Sequence, residues 1–328
     1  MLTSDKKRRR KGLQHMGKTA DLDIVTVGHF VMDLINSPRI TSPKVSLGGP
    51  PTFVSLAASK LGARVGVISK VGGDFQRKLA WLRENNVDVS HVHVVEDALT
   101  TSFILTYTDG GRRLQMKNKA PQIGLEDVPT FLHAKAVHVA PVAGELPTEI
   151  IPKLKERTRV LSIDPQGFLR EFDHAGRARL RRLEDASFLQ HCDVFKSSLQ
   201  EVKVLTGHSK LAASVDRIRE WGVKTVLVTM GKKGTLACFA DEFYHIPACT
   251  PKAVKDPTGA GDAFMGGFLA EYTRGREPVW CCCVGSAASS FVVEEVGSRR
   301  FGGKTEVYER ATEIYEKGVK PLSQDAFA

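Results

Sequence analysis

No run of the roughly 18 apolar residues needed to span a bilayer occurs in this 328-residue chain, and its charged first residues lack the apolar core of a secretory signal. A soluble, cytoplasmic protein with no membrane partner is therefore expected. The six cysteines, at 192, 238, 249 and 281–283, lack the paired CxxC spacing of a metal site or redox disulfide. They are expected to be reduced and mostly buried, with Cys281, Cys282 and Cys283 packing as modest hydrophobes in a run of small residues. Aromatic residues are scarce at 7%, and no basic-plus-aromatic recognition motif accompanies the net charge of +10. Most of that charge lies in one place: residues 1–20 hold seven basic side chains against Asp5. This stretch has no apolar periodicity and reads as a solvated, disordered tail, a targeting or polyanion-binding role being the alternative. Nucleic acid is not expected as a partner. No repeat at solenoid or propeller spacing is visible.

What is present suffices for one large α/β domain over residues 21–320, since 42% of the chain is hydrophobic. Residues 22–28 read as a buried strand, and Val54, Ala57, Ala58 and Leu61 follow the i, i+3, i+4, i+7 spacing of a helix face. A strand over 64–71 and a helix over 75–85 come next. Residues 101–108 and 112–117 read as a hairpin across the turn 109–111. Short apolar strands near 136–140, 159–163, 193–196 and 224–229 then alternate with helical stretches, and the chain is mostly helix from Gly261 onward. The pattern predicts a mostly parallel sheet with helices on both faces. The hairpin and the extended segment around 37–46 have no place in it, so lid segments of β structure are expected over about 36–47 and 98–119, closing a cleft against water.

The most informative stretch is Asp256-Pro-Thr-Gly-Ala-Gly-Asp-Ala-Phe264. Gly259, Ala260 and Gly261 let backbone N–H groups approach a phosphate, and the helix that follows adds partial positive charge at its N-terminus. Asp262 then stands where it could take a proton from an attacking hydroxyl. Charge stabilisation and an oriented nucleophile are what phosphoryl transfer requires.

This segment resembles the C-terminal signature of the ribokinase-like (PfkB) carbohydrate kinases. Leu47-Gly-Gly-Pro-Pro-Thr-Phe53 and Val67-Ile-Ser-Lys-Val-Gly-Gly-Asp74 resemble the N-terminal one, and the two span about residues 25–297. The resemblance implies a ribokinase-like three-layer fold with a small β lid, ATP as donor, Asp262 as base and Gly259–Gly261 as anion hole. It further implies that Gly48 and Gly49 contact the sugar near a lid hinge. Asp33 matches the family's substrate carboxylate, whose two oxygens suit vicinal hydroxyls. Thr229, Gly231 and Gly234 match its TxGxxG nucleotide segment, and Thr258 and the region of Ser286 are assigned to the nucleotide as well. Ser198 replaces the usual Asn of NxxE, so Glu201 alone remains for an indirect, water-mediated role at Mg2+. Asp256, with carbonyls near Val296 and Gly297, is expected at a monovalent-cation site that could take K+.

Residues 162–170, Ser-Ile-Asp-Pro-Gln-Gly-Phe-Leu-Arg, fall at a predicted strand end and include Gln166 as a substrate ligand. With residues 100–114 they resemble the archaeal myo-inositol kinase-like branch. An inositol-like polyol is expected as acceptor ahead of a nucleoside, whose base Phe30 and Phe53 could flank, and of a phosphosugar such as fructose 6-phosphate, whose phosphate Arg112, Arg113 and Arg170 could bind. A non-catalytic, ligand-binding regulatory protein is the alternative of another class. The lid edges could pair two subunits, giving a homodimer.

Overall fold

Residues 22–323, apart from 39, 109, 110 and 131, are described by a computed structural model. In chain order the strands are β1 (Leu22–Val27), β2 (Val31–Asn36), β3 (Lys44–Gly48), β4 (Val65–Gly72), β5 (Val87–Val95), β6 (Ser102–Thr108), β7 (Gly111–Asn118), β8 (Ala134–Val139), β9 (Thr158–Ile163), β10 (Arg170–Phe172), β11 (Ala178–Leu180), β12 (Val194–Ser198), β13 (Thr225–Thr229), β14 (Thr235–Phe239), β15 (Glu242–Ile246) and β16 (Lys320–Leu322). The α-helices are α1 (Pro50–Lys60), α2 (Gln76–Glu84), α3 (Ile150–Lys155), α4 (Gln166–Leu169), α5 (Leu199–Thr206), α6 (Leu211–Glu220), α7 (Ala260–Tyr272), α8 (Pro278–Val292) and α9 (Lys304–Lys317).

A strand that is apolar at nearly every position can be buried on both faces, and β1 lies inside the main sheet, between β8 and β4. Ile24 joins the core under α1, α7 and α8, whereas Val25 and Val27 join the opposite core under α3, α5 and α6. The sheet runs β16-β15-β14-β13-β12-β9-β8-β1-β4-β5. The stretch from β13 to β5 is parallel throughout, as expected. Beyond β13, the strands β14, β15 and β16 add antiparallel, which strand-and-helix alternation did not foretell. For β14 and β15 short turns explain it: the few residues between β13, β14 and β15 are too short for a crossover helix.

The helices on one face pack through small residues. Gly266 of α7 lies against Val54 and Ala57 of α1, and Gly267 lies against Val284 and Gly285 of α8. This close approach fixes the start of α7 relative to α1.

A second sheet of order β3-β2-β6-β7 stands beside the first, and β2 pairs parallel with β6. The expected hairpin is its β6–β7 pair, with residues 109 and 110 of the turn outside the described residues. The extended segment contributes β3, but β2 is an additional strand that starts before it. Val31 and Ile35 of β2 and Phe103 and Leu105 of β6 face Val142 and Ala143. The tail at 1–20 lies outside the described residues, as does residue 21. Among the described residues no helix is long and apolar enough to cross a membrane. Five of the six cysteines are buried, Cys249 is half-buried, and all six are free.

Candidate active site

Open parallel sheets present ligands at the carboxyl ends of their strands, and the predicted residues gather there. β1 leads through Gly28 and His29 into β2 with Asp33. β9 leads to Asp164 and to α4 with Gln166, followed by Arg170. β12 carries Lys196 and Ser198 just before Glu201 in α5, and β13 ends on Thr229. Glu145, buried completely, ties the exit of β1 to the exit of β8 by accepting from the N–H groups of His29, Val142 and Ala143.

Asp262 is the third residue of α7, and Gly259 before the helix is left-handed at φ 76°. A side chain there would be strained, and its Cβ would strike the ring of Phe53. No side chain caps the helix, which leaves the positive end of its dipole uncovered by side chains, although Ala260 N already donates to Pro257 O at 3.3 Å. Asp262, Gly259, Thr258, Gln166, Arg112, Arg170, Gly49 and Asp33 line one cavity. Gln166 Nε2 donates to Asp262 Oδ1 at 3.4 Å, and Arg170 donates to Gln166 Oε1 at 2.5 Å. Burial raises the Asp262 carboxyl to about 6, against the pull of Lys196.

Asp33 shares the buried face of β2 with Val31 and Ile35, a charge in the middle of an apolar stripe. Burial pushes its carboxyl up to about 7, Arg112 opposing. A Cβ on Gly48 would fall on Asp33 Oδ2, well inside van der Waals contact. Gly48→Ala must therefore displace the carboxylate. If Asp33 grips the acceptor, its KM rises about tenfold, equivalent to about 1.4 kcal/mol, with a smaller change in kcat. Steady-state kinetics with the acceptor varied would show this, and an unchanged KM would remove Asp33 from the acceptor site.

Lys196 Nζ binds Asp164 Oδ2 at 2.6 Å, both side chains being buried. It lies 2.7 Å from where a Cβ on Gly261 would be, directly behind the loop. Burial disfavours its ammonium, but Asp164, Asp262 and Glu201 together outweigh that and raise its affinity for the proton. Glu201 Oε2 accepts from Ser198 N at 2.9 Å and from Ser198 Oγ at 2.6 Å, closing a capping box at the start of α5. Burial opposes its ionisation, yet Lys196, Arg170 and Ser198 hold it below the usual glutamate range.

Asp256 is a hub. Its Oδ1 accepts from Thr258 N at 2.9 Å and Thr258 Oγ1 at 2.6 Å, and its Oδ2 from Gly297 N at 2.9 Å. The structure thus brings together the two segments expected to hold a monovalent cation. Tyr107 of β6 reaches over from the small sheet, its hydroxyl 2.7 Å from Thr258 Oγ1.

Of the residues assigned to the nucleotide, Thr258 lines this cavity, whereas Thr229, Gly231, Gly234 and Ser286 do not. Thr229 Oγ1 donates to Ser197 O at 3.3 Å, and Gly231 and Gly234 form the turn between β13 and β14. Ser286 Oγ accepts from Cys249 N at 2.9 Å and donates to Pro247 O at 2.8 Å, linking α8 to the exit of β15. Of the two aromatics expected beside a base, Phe30 is buried against Phe75, and Phe53, buried between Gly259 and Phe301, also lines the cavity. Lys196, Asp164, Tyr107 and Glu145 were not foreseen. Lys196 alone carried a signal, a charged residue directly after the apolar Val194 and Phe195.

A carboxylate beside an open helix start, at the switch between sheet and small sheet, defines a ribokinase-like phosphotransferase. The chain belongs to the pfkB family of carbohydrate kinases, whose family model matches residues 21–302. It is 28% identical over 283 residues to the cytidine kinase of Thermococcus kodakarensis, covering 84% of this chain and 98% of that protein. It is 27% identical over 288 residues to the inositol 3-kinase of Arabidopsis thaliana, covering 85% and 76%. A pyrophosphate-dependent kinase in the ribokinase family, solved with a pyrophosphate analogue and myo-inositol, matches with a TM-score of 0.75 at 25% identity, covering 87% of this chain and 99% of that one. The protein is accordingly a sugar or nucleoside kinase of this family.

Proposed function

We propose that the protein transfers the γ-phosphoryl group of ATP to a hydroxyl of a compact polyol of the inositol type, within one domain over residues 21–320. The observation that supports this most is the shared cavity of Asp262 and Asp33. Two carboxylates and the Gln166 amide there offer acceptors and donors to several hydroxyls at once, among the apolar side chains of Val31, Phe103 and Leu105. Asp262 takes the proton of the attacking hydroxyl, with Gln166 and Arg170 orienting its carboxylate. The N–H groups at the start of α7 receive the transferred phosphoryl group, and the small sheet closes the cavity against water.

Magnesium, when bound, would neutralise charge between the donor phosphates. Among the described residues no group of three or more His, Cys, Asp or Glu forms a metal cage, so the ion would come with the donor and meet Glu201 through water. Asp256 and the turn at Gly297 offer oxygens for K+.

A nucleoside acceptor is the second reading, favoured by the likeness to the cytidine kinase over 98% of that protein. ADP formation over a panel of myo-inositol, sugars, phosphosugars and nucleosides tests the proposal. Turnover with polyols supports it, turnover confined to nucleosides replaces it, and acceptor binding without turnover returns the protein to the regulatory class.

The base sets the pH response. Asp262 must be ionised to accept a proton, and its carboxyl titrates at about 6. In the free enzyme kcat/KM should therefore rise about tenfold per pH unit below 6 and level off above 7. A flat profile from pH 5 to 8 would argue against Asp262 as the base.

A further inference from the structure

Beside the cavity of Asp262 lies a larger cleft of about 1070 Å³, walled by β7, by the β10–β11 hairpin and by the start of α5. Five arginines line it, Arg112, Arg113, Arg170, Arg177 and Arg179, against a single acidic residue, Glu201. The hairpin is fastened to the small sheet, with Met116 N donating to Gly176 O at 2.7 Å and Gln115 Nε2 to Ala175 O at 2.7 Å. The guanidinium groups are thus gathered by the fold and do not simply share a mobile surface.

Local carboxylates answer the inner part of this charge, Asp33 at Arg112 and Glu201, Asp164 and Asp262 at Arg170, and less of the outer part, where Asp173 feels Arg177. Arg179 pairs with Glu171 at 2.8 Å, and Glu201 is occupied by Ser198. Among the described residues neither Arg113 nor Arg177 takes part in an ion pair. Arg170 is held at the inner end by Val142 O at 3.2 Å and by Gln166, one hydrogen bond from Asp262. Burial, and then Arg112 beside it, lowers the proton affinity of Arg170, against the pull of Glu201, Asp164 and Asp262. Like charges at such spacing repel, and an anion with several oxygens relieves the repulsion while matching guanidinium forks two oxygens at a time.

The geometry points to this cleft as a phosphoanion site that continues from the reaction centre through Arg170 and Arg112 to Arg113 and Arg177. It extends the kinase reading, on which it rests, by assigning a place to phosphoryl groups that are not transferred. Their source is either the phosphate chain of the donor, inorganic or nucleotide, or a phosphate already on the acceptor.

The test is calorimetric titration of the full-length protein with pyrophosphate, ATP, AMP and fructose 6-phosphate, each without a second substrate. Wild type is compared with R113Q/R177Q and with R113K/R177K. At least one phosphoanion should bind and weaken about tenfold or more in R113Q/R177Q, with part of the affinity restored in the lysine version and the thermal midpoint unchanged. Pyrophosphate binding identifies a bare phosphate chain, and ATP without AMP or pyrophosphate identifies the chain of a nucleotide. Fructose 6-phosphate alone identifies a phosphorylated acceptor. Equal affinities in wild type and R113Q/R177Q for every ligand, or no binding at all, overturn the site. No turnover enters these titrations, so a chain that binds the anions yet phosphorylates nothing would sink the kinase reading and leave the cleft standing.

Discussion

Asp262→Asn should lower kcat by about a hundred- to ten-thousandfold with any acceptor the protein uses, and leave the melting temperature unchanged or higher. The amide keeps the shape of the side chain and its contact with Gln166, but it cannot take up the hydroxyl proton. The fold loses nothing by it, because burial already drives this carboxyl up to about 6, so the ionised form is a burden to the folded state at neutral pH. Thermal unfolding and coupled ADP release on the same preparation check both halves. Wild-type turnover in the variant would dismiss Asp262 as base, and a collapse in stability would make its role architectural.

The second large effect belongs to Lys196→Met. Removing the ammonium strands Asp164, which is 1% exposed, without its buried partner. Breaking a buried pair from one side typically costs about 3–5 kcal/mol. At roughly 2–4 °C per kcal/mol the midpoint should fall by about 10 °C. Activity should change in its own way, because Lys196 is the largest influence keeping the Asp262 carboxyl from rising further. The acid limb of the pH profile should move to higher pH in the variant. Lys196→Met combined with Asp164→Asn tests both effects, since removing both partners spares the fold the stranded charge. Stability should return, and the profile should move back toward the wild type, because Asp164 raises the Asp262 carboxyl that Lys196 lowers. A wild-type profile in the single Lys196→Met variant would reduce Lys196 to a structural ion pair.

Local periodicity made the main sheet legible. The strands at 22–27, 65–72, 134–139, 158–163 and 225–229 fall within a few residues of their expected places, because being buried on both faces forces an apolar run. The helix start at Gly259–Asp262 was legible for a related reason, since small residues followed by a carboxylate are a local arrangement. What escaped notice was non-local. β2 reads as a continuation of the loop after β1 because Asp33 breaks its apolar face. The ion pair of Lys196 and Asp164 joins residues 32 apart in sequence, and neither spacing nor composition records it. Phe30 shows the same limit from the other side: an aromatic residue beside a motif is as available to the core as to a ligand, and the neighbouring Phe75 decided for the core.

Two hydrogen bonds cross from the small sheet to the Asp256 hub. One joins Tyr107 and Thr258 at 2.7 Å, and the other runs from Ser298 N to Ser46 Oγ at 3.1 Å. The sheet that carries Asp33 and the turn that shapes the start of α7 are therefore mechanically one object. If the sheet is displaced to admit an acceptor, the turn should loosen with it, and an acceptor that holds the sheet in place should then strengthen donor binding by the same factor as the donor strengthens its own.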